Sequence, residues 1–201
     1  AHAAPRILVL GDSLSAAYGL PLEEGWVALL QQRLRAAGHP HEVINASISG
    51  DTTRGGLARL PQALETHAPA LLIVALGGND GLRAFQPAQM ADNLRAIIRT
   101  ADGAGSAVLL VGIKIPANYG IAYGRKFHQV FHDIAAEQGV PLLPFLLEGV
   151  ALNPDLMQPD GIHPNAAAQP HILANIWPEV SALLGDPPVS ASNATATGGQ
   201  L

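Results

Sequence analysis

The chain has 201 residues, enough for one domain with a real core, and 48% hydrophobic against 13% charged residues excludes a disordered or heavily solvated chain. A formal net charge of −5 with only 11 Lys and Arg gives no electrostatic footprint for nucleic acid. Without cysteine, disulfide and thiolate chemistry are excluded, and no apolar run approaches the ~18–20 residues a membrane-spanning helix needs, so a soluble protein is expected.

The first residues, AHAAP, carry the small-x-small pattern of a signal-peptidase site and equally fit ordinary terminal residues, so residues 1–5 read as an N-terminal extension. Strands are expected at Arg6–Leu10, Glu42–Asn45, Leu71–Leu76, Ala107–Ile113 and Pro141–Pro144. All read as continuous apolar runs, as in strands covered on both faces. Between them, Trp26, Leu29, Leu30, Leu34 and Ala37 fall on one helical stripe. So do Met90, Leu94, Ile97, Ile98 and Ala101, and then Phe127, Val130, Phe131, Ile134 and Ala135. A shorter helix is expected over Arg54–Leu64, limited or kinked by Pro61, and a last one over Ala166–Leu184, kinked or broken at Pro178. From Asp186 the chain loses apolar periodicity and reads as a flexible tail (186–201), in which the Asn193-Ala-Thr195 sequon is a chance match. Residues 6–185 then form a single α/β domain: a three-layer, flavodoxin-like fold with a mostly five-stranded parallel sheet and helices on both faces.

In such sheets ligands bind beyond the carboxyl ends of the strands. The first strand delivers Gly11-Asp12-Ser13 to that edge, the second leads into ASISGDTTRGG and the third into LGGNDG. A later segment, MQPDGIHPN, carries Asp160 and His163. A serine hydroxyl becomes a good nucleophile only when a base takes its proton and a third group orients that base. Asp160 and His163 are spaced so that the carboxylate reaches Nδ1 and leaves Nε2 to face Ser13. Oxyanion donors are then needed, and the candidates are the backbone N–H groups of Ser13 and Gly50 and the side-chain amide of Asn79. Each part alone reads as a turn or a helix cap. Their joint occurrence at successive strand ends favours nucleophilic catalysis.

The blocks GDSL with Ser13, SGDT with Gly50, GGND with Asn79 and DGIHP with Asp160 and His163 resemble those of the SGNH, or GDSL, hydrolase superfamily. Longer stretches, NASISGDTTRGGLARLP, LGGNDGLRAFQP, IPANYG and PLLPF among them, are similar to the bacterial periplasmic thioesterase I, protease I and lysophospholipase group and its related arylesterases. The resemblance runs from Arg6 to about Leu184. It implies Ser13 as nucleophile, His163 as general base and acid, Asp160 as its orienter, and Gly50 and Asn79 in the oxyanion hole. The implied substrates are aryl and alkyl esters, acyl thioesters and lysophospholipids, and the implied location is periplasmic or secreted. Family members often have Gly where this chain has Ala17, which bears on loop shape or substrate preference.

Leu82, Phe85, Ile115, Pro116, Asn118, Tyr119 and Met157 are expected to line an acyl or aryl groove; packing among the loops themselves is the alternative. No cofactor, metal or nucleic-acid partner is expected, only a small ester or thioester substrate, and the chain should act as a monomer. A metallophosphoesterase would need Asp-x-His and Gly-Asn-His ligand blocks, and neither occurs. His128 and His132 stand i, i+4 without an adjoining Glu and read as helix-surface residues. A non-catalytic flavodoxin-like binding module is the other alternative, and no phosphate-binding fingerprint supports it.

Overall fold

The structure is a computed structural model and describes residues 3–189. Residues 1–2 of the AHAAP stretch and most of the tail, with its sequon, lie outside the described residues.

Five parallel strands form one sheet in the order β2-β1-β3-β4-β5: β1 (Arg6–Gly11), β2 (Glu42–Asn45), β3 (Leu71–Ala75), β4 (Ala107–Val111) and β5 (Leu142–Leu143). β1 and β3 are the central pair, with Ile7 opposite Leu71 and Gly11 opposite Ala75. Ile7, Leu8, Val9 and Leu10 are fully buried, because layers of helix cover both faces of that strand. Each such side chain contributes roughly 1.5–3 kcal/mol relative to an exposed one. On one side α1 (Trp26–Ala36) packs against α6 (Gln169–Leu184), and on the other α4 (Pro87–Gly103) packs against α2 (Thr53–His67) and α5 (Ile121–Gln138). This is the flavodoxin-like, three-layer α/β architecture expected.

Several expectations need correction. The strand β2 is an edge strand whose end residues Glu42 and Asn45 are exposed, while Val43 and Ile44, on opposite faces, are half-buried against the core, so each face is only partly covered. β4 ends at Val111 and β5 has two residues, because Gly112 and Pro144 turn the chain away once the ladder to the neighbour ends. Gly112 sits so close to Pro144 that a Cβ there would lie 2.2 Å from its carbonyl oxygen. α2 runs through Pro61 to His67, and α6 runs unbroken through Pro178. Both prolines lie on exposed positions while Leu60, Leu64, Ile172, Ile176 and Val180 keep the buried stripes continuous, so the carbonyls they leave unpaired can face solvent. The discontinuity near α6 falls earlier, where a 3-10 turn at Ala166–Ala168 gives way to the α-helix. GGNDGL, read as a turn, forms a one-turn helix, α3 (Gly78–Leu82).

Candidate active site

The sheet order places its switch point between β1 and β3, and the two groups sought there leave those strands directly. Beyond Gly11 the chain turns at once: the N–H groups of Ser15 and Ala16 donate to the Asp12 carbonyl at 3.1 and 2.9 Å, and Leu14 N–H donates to Asp12 Oδ1 at 3.0 Å. That tight turn lifts Ser13 out of the sheet edge. His163 Nε2 lies 3.0 Å from Ser13 Oγ, and His163 Nδ1 lies 2.5 Å from Asp160 Oδ2. With the Nδ1 proton donated to Asp160, Nε2 is left to accept the serine hydroxyl.

Asp160 is doubly employed. Its Oδ1 accepts the N–H groups of Ile162 and His163 at 2.9 and 3.0 Å, while its Oδ2 holds the imidazole. The hydrogen bond from the His163 ring, helped by those two backbone donors, pulls its carboxyl down to about 2. It is therefore a fixed anion at any pH where an imidazole could act as a base. The loop that carries both groups is pinned by Gln158, whose N–H donates to the His163 carbonyl at 2.7 Å and whose side-chain amide donates to Pro164 O and Tyr18 O at 3.0 and 2.8 Å.

The other two blocks meet each other. Asn79, on α3, donates from Nδ2 to the carbonyl of Asp51 at 2.8 Å, which brings it beside Gly50. One amide hydrogen of Asn79 remains for another acceptor. Gly50 has φ +83°, a left-handed turn that favours glycine, and it is exposed. Among the described residues the N–H groups of Ser13 and Gly50 have no protein acceptor. Arg59, on α2, ties these loops down: it donates to Asp51 Oδ2 at 2.7 Å, to Gly11 O at 3.2 Å and to Ala46 O.

The expected groove residues fall in two places. Leu82 and Ile115 are half-buried, while Phe85, Pro116, Asn118 and Tyr119 are exposed on the adjoining rim. Tyr123 Oη donates to Phe85 O at 2.7 Å, and Gly81 is packed closely under Ile115, so the α3 turn and the loop after β4 form one wall. Met157 lies apart on the histidine loop, bridged to Pro164. The hollow beside the hydroxyl is lined instead by Ser13, Leu14, Ala17, Tyr18, Leu20, His163, Pro164 and Gln169. Sequence reasoning missed Tyr18, Gln158, Arg59 and Asp51. A tyrosine five residues after a serine and a glutamine five before a histidine carry no periodic signal. His128, as expected, is a helix residue; its Nε2 lies 2.8 Å from Pro144 O. Among the described residues no group of His, Asp and Glu is placed to hold a metal ion, and no helix is long and apolar enough to cross a membrane.

A serine, an imidazole and a carboxylate in line beyond the carboxyl edge of a parallel sheet are the groups a serine hydrolase uses. The chain belongs to the GDSL-like lipase/acylhydrolase family, whose model matches residues 9–169. It is 52% identical over 182 residues to esterase TesA of Pseudomonas aeruginosa, covering 90% of each chain. It is 49% identical over 172 residues to thioesterase 1/protease 1/lysophospholipase L1 of Escherichia coli, covering 86% of this chain and 81% of that one. Among solved structures, the psychrotrophic esterase EstA of a Pseudoalteromonas species superposes with a TM-score of 0.86 at 42% identity, over 89% of this chain and 98% of that one. Membership of an acylhydrolase family makes the protein a hydrolase of acyl esters.

Proposed function

We propose that the protein cleaves carboxylic esters and thioesters through an acyl-enzyme on Ser13. The observation that carries this reading is the continuous line Asp160–His163–Ser13, with gaps of 2.5 and 3.0 Å. Ser13 Oγ attacks the acyl carbonyl and its proton passes to His163 Nε2. The carbonyl oxygen becomes an oxyanion, met by the N–H groups of Ser13 and Gly50 and the free amide hydrogen of Asn79. Collapse expels the alcohol or thiol, which takes the proton from Nε2. Water then attacks the acyl-enzyme, His163 takes its proton, and the carboxylic acid leaves with Ser13 restored. Asp160, held ionised, keeps the imidazole in the tautomer this sequence needs.

The substrates in this reading are aryl and alkyl esters, acyl thioesters and lysophospholipids, and relatives named esterase, thioesterase 1/protease 1/lysophospholipase L1 and, in Vibrio mimicus, arylesterase support it. The wall of Leu82, Phe85, Ile115, Pro116 and Tyr119, with the polar Asn118 beside it, takes the acyl or aryl group, and Met157 contributes from the histidine loop. A periplasmic or secreted location belongs to the same proposal and rests on the resemblance to the thioesterase I group. Short-chain p-nitrophenyl ester hydrolysis, measured with EDTA present for the parent and for Ser13→Ala, tests the mechanism. The parent keeps its rate with the chelator and the variant falls to background. A variant as fast as the parent, or a parent silenced by EDTA, removes Ser13 from the chemistry.

A further inference from the structure

Two hydrogen bonds hold the His163 ring, at Nδ1 and at Nε2, the atoms whose N–H and lone pair point outward in the plane of an imidazole. They fix where the ring points but leave it free to tilt about the line joining them. A third contact removes that freedom. The ring of Tyr18 lies over His163 with centroids 4.2 Å apart and planes inclined by 33°. That separation is within the range where an aromatic face attracts a cation.

We propose that Tyr18 is a positioning residue for His163, its ring steadying the imidazole and favouring the imidazolium that forms as Ser13 attacks. The inference rests on the serine-hydrolase reading above. A neutral imidazole gains only packing from the tyrosine face, whereas the charged ring gains an electrostatic term as well. The stabilisation is therefore greater in the transition state than in the resting enzyme, which is the condition for accelerating the chemical step.

The surrounding turn is built to hold the tyrosine there. Ala17 has φ +56°, a left-handed conformation that a residue with a Cβ rarely adopts, and it swings the chain so that Tyr18 faces the histidine loop. Its methyl is buried, packed so closely on Gly25 that a Cβ added there would lie 2.8 Å away. The Tyr18 N–H donates to the Ser13 carbonyl at 3.3 Å, and its own carbonyl accepts from Gln158 Nε2 at 2.8 Å. Gln158 also grips the chain at His163 and just after it, through the carbonyls of His163 and Pro164. Nucleophile, aromatic face and base thus share one hydrogen-bonded frame across 150 residues of chain. The groups that meet the imidazole are the Asp160 carboxylate, the Ser13 hydroxyl and the Tyr18 ring.

The test compares Tyr18→Leu and Tyr18→Phe with the parent and with Ser13→Ala, reading kcat and KM separately on a short-chain p-nitrophenyl ester beside each melting temperature. Tyr18 is half-exposed, so removing its ring leaves the core intact. Loss of the face lowers kcat about three- to thirty-fold in the Leu variant with KM within about two-fold, while Phe, which keeps the face, retains kcat within about two-fold. Parental kcat in the Leu variant overturns the proposal. So does a loss confined to KM, which would make Tyr18 a wall for substrate. A Phe variant as slow as the Leu variant also overturns it, because the hydroxyl would then matter rather than the ring. A Leu variant that melts below the assay temperature assigns the ring a structural role and counts against the proposal too. Activity surviving in Ser13→Ala fails the underlying reading instead, and takes this one with it.

Discussion

Asp12 precedes Ser13 in the chain, yet only 3% of it is exposed. Burial pushes its carboxyl up to about 7, partly offset by backbone N–H groups and reinforced by Asp51 and Asp80 nearby. In the unfolded chain the group ionises near its ordinary value of 3.8. Between those values the native protein holds a proton the unfolded chain has released, so this residue lowers stability as pH rises from about 4 to about 7, and the loss persists above. Asn at position 12 keeps an acceptor for the Leu14 N–H and cannot ionise. Chemical denaturation of the parent and Asp12→Asn across pH 4–8 should give curves that diverge over that window, the parent losing stability relative to the variant. Parallel curves would show that the carboxyl titrates normally. Asp12 belongs to a block readable in the sequence, but its protonation is a property of the cavity around it. Tyr18 and Gln158 mark the same boundary. Motif blocks give the atoms that react, while the side chains that steady them are chosen by where two distant loops touch.

At the scale of the element, the N-terminus of α2 is held from outside. Thr52 caps it, its side chain accepting Gly55 N–H, and Asp80 of α3 accepts both the N–H and the hydroxyl of Thr53, at 2.9 and 2.6 Å. Asn93 on α4 completes the cluster by donating to the Thr53 hydroxyl at 3.0 Å. Asp80 and Thr53 are both buried, so removing the carboxylate strands two donors where water cannot reach them. Asp80→Ala should cost about 2–3 kcal/mol, read as a lowered melting temperature, and should loosen the Gly50–Asn79 contact region with it. A variant melting with the parent would mean solvent replaces the carboxylate. The long elements were legible because period and burial agree: the stripe of Met90, Leu94, Ile97, Ile98 and Ala101 is the buried face of α4. The failures have physical reasons. α3 has one turn and two glycines, too short for any stripe, and exists because Asp80 must reach Thr53. At Pro178 the chemistry predicts a kink or a break, and the helix continues through it because the position is exposed: the carbonyl left without a donor can face solvent and the buried stripe is uninterrupted.

The whole molecule presents two sheet edges to its surroundings. β2 carries Glu42 and Asn45 outward, and β5 has only two residues, so neither offers a long apolar edge to a second copy. Large exposed apolar side chains such as Tyr18, Ile48, Phe85, Tyr119 and Ile162 stand on the segments that follow the strands, scattered rather than along either sheet edge. Light scattering should therefore return the mass of one chain, and a dimer that persists on dilution would contradict this. The flavodoxin-like class was legible from the alternation of strands and stripes. The edge status of β2 was not, because a four-residue run carries no signal of how many strands pair with it.

One consequence follows from the distance along the chain between Ser13 and His163. The hydroxyl is made early in translation and the imidazole 150 residues later, and nothing joins them until the last strand and its following loops have closed on the first. On the proposed mechanism the alcohol at position 13 stays inert through the 150 residues of synthesis that separate it from its base. A fragment missing either loop lacks the acyl-enzyme route of that mechanism, so turnover by that route reports that the two loops have met.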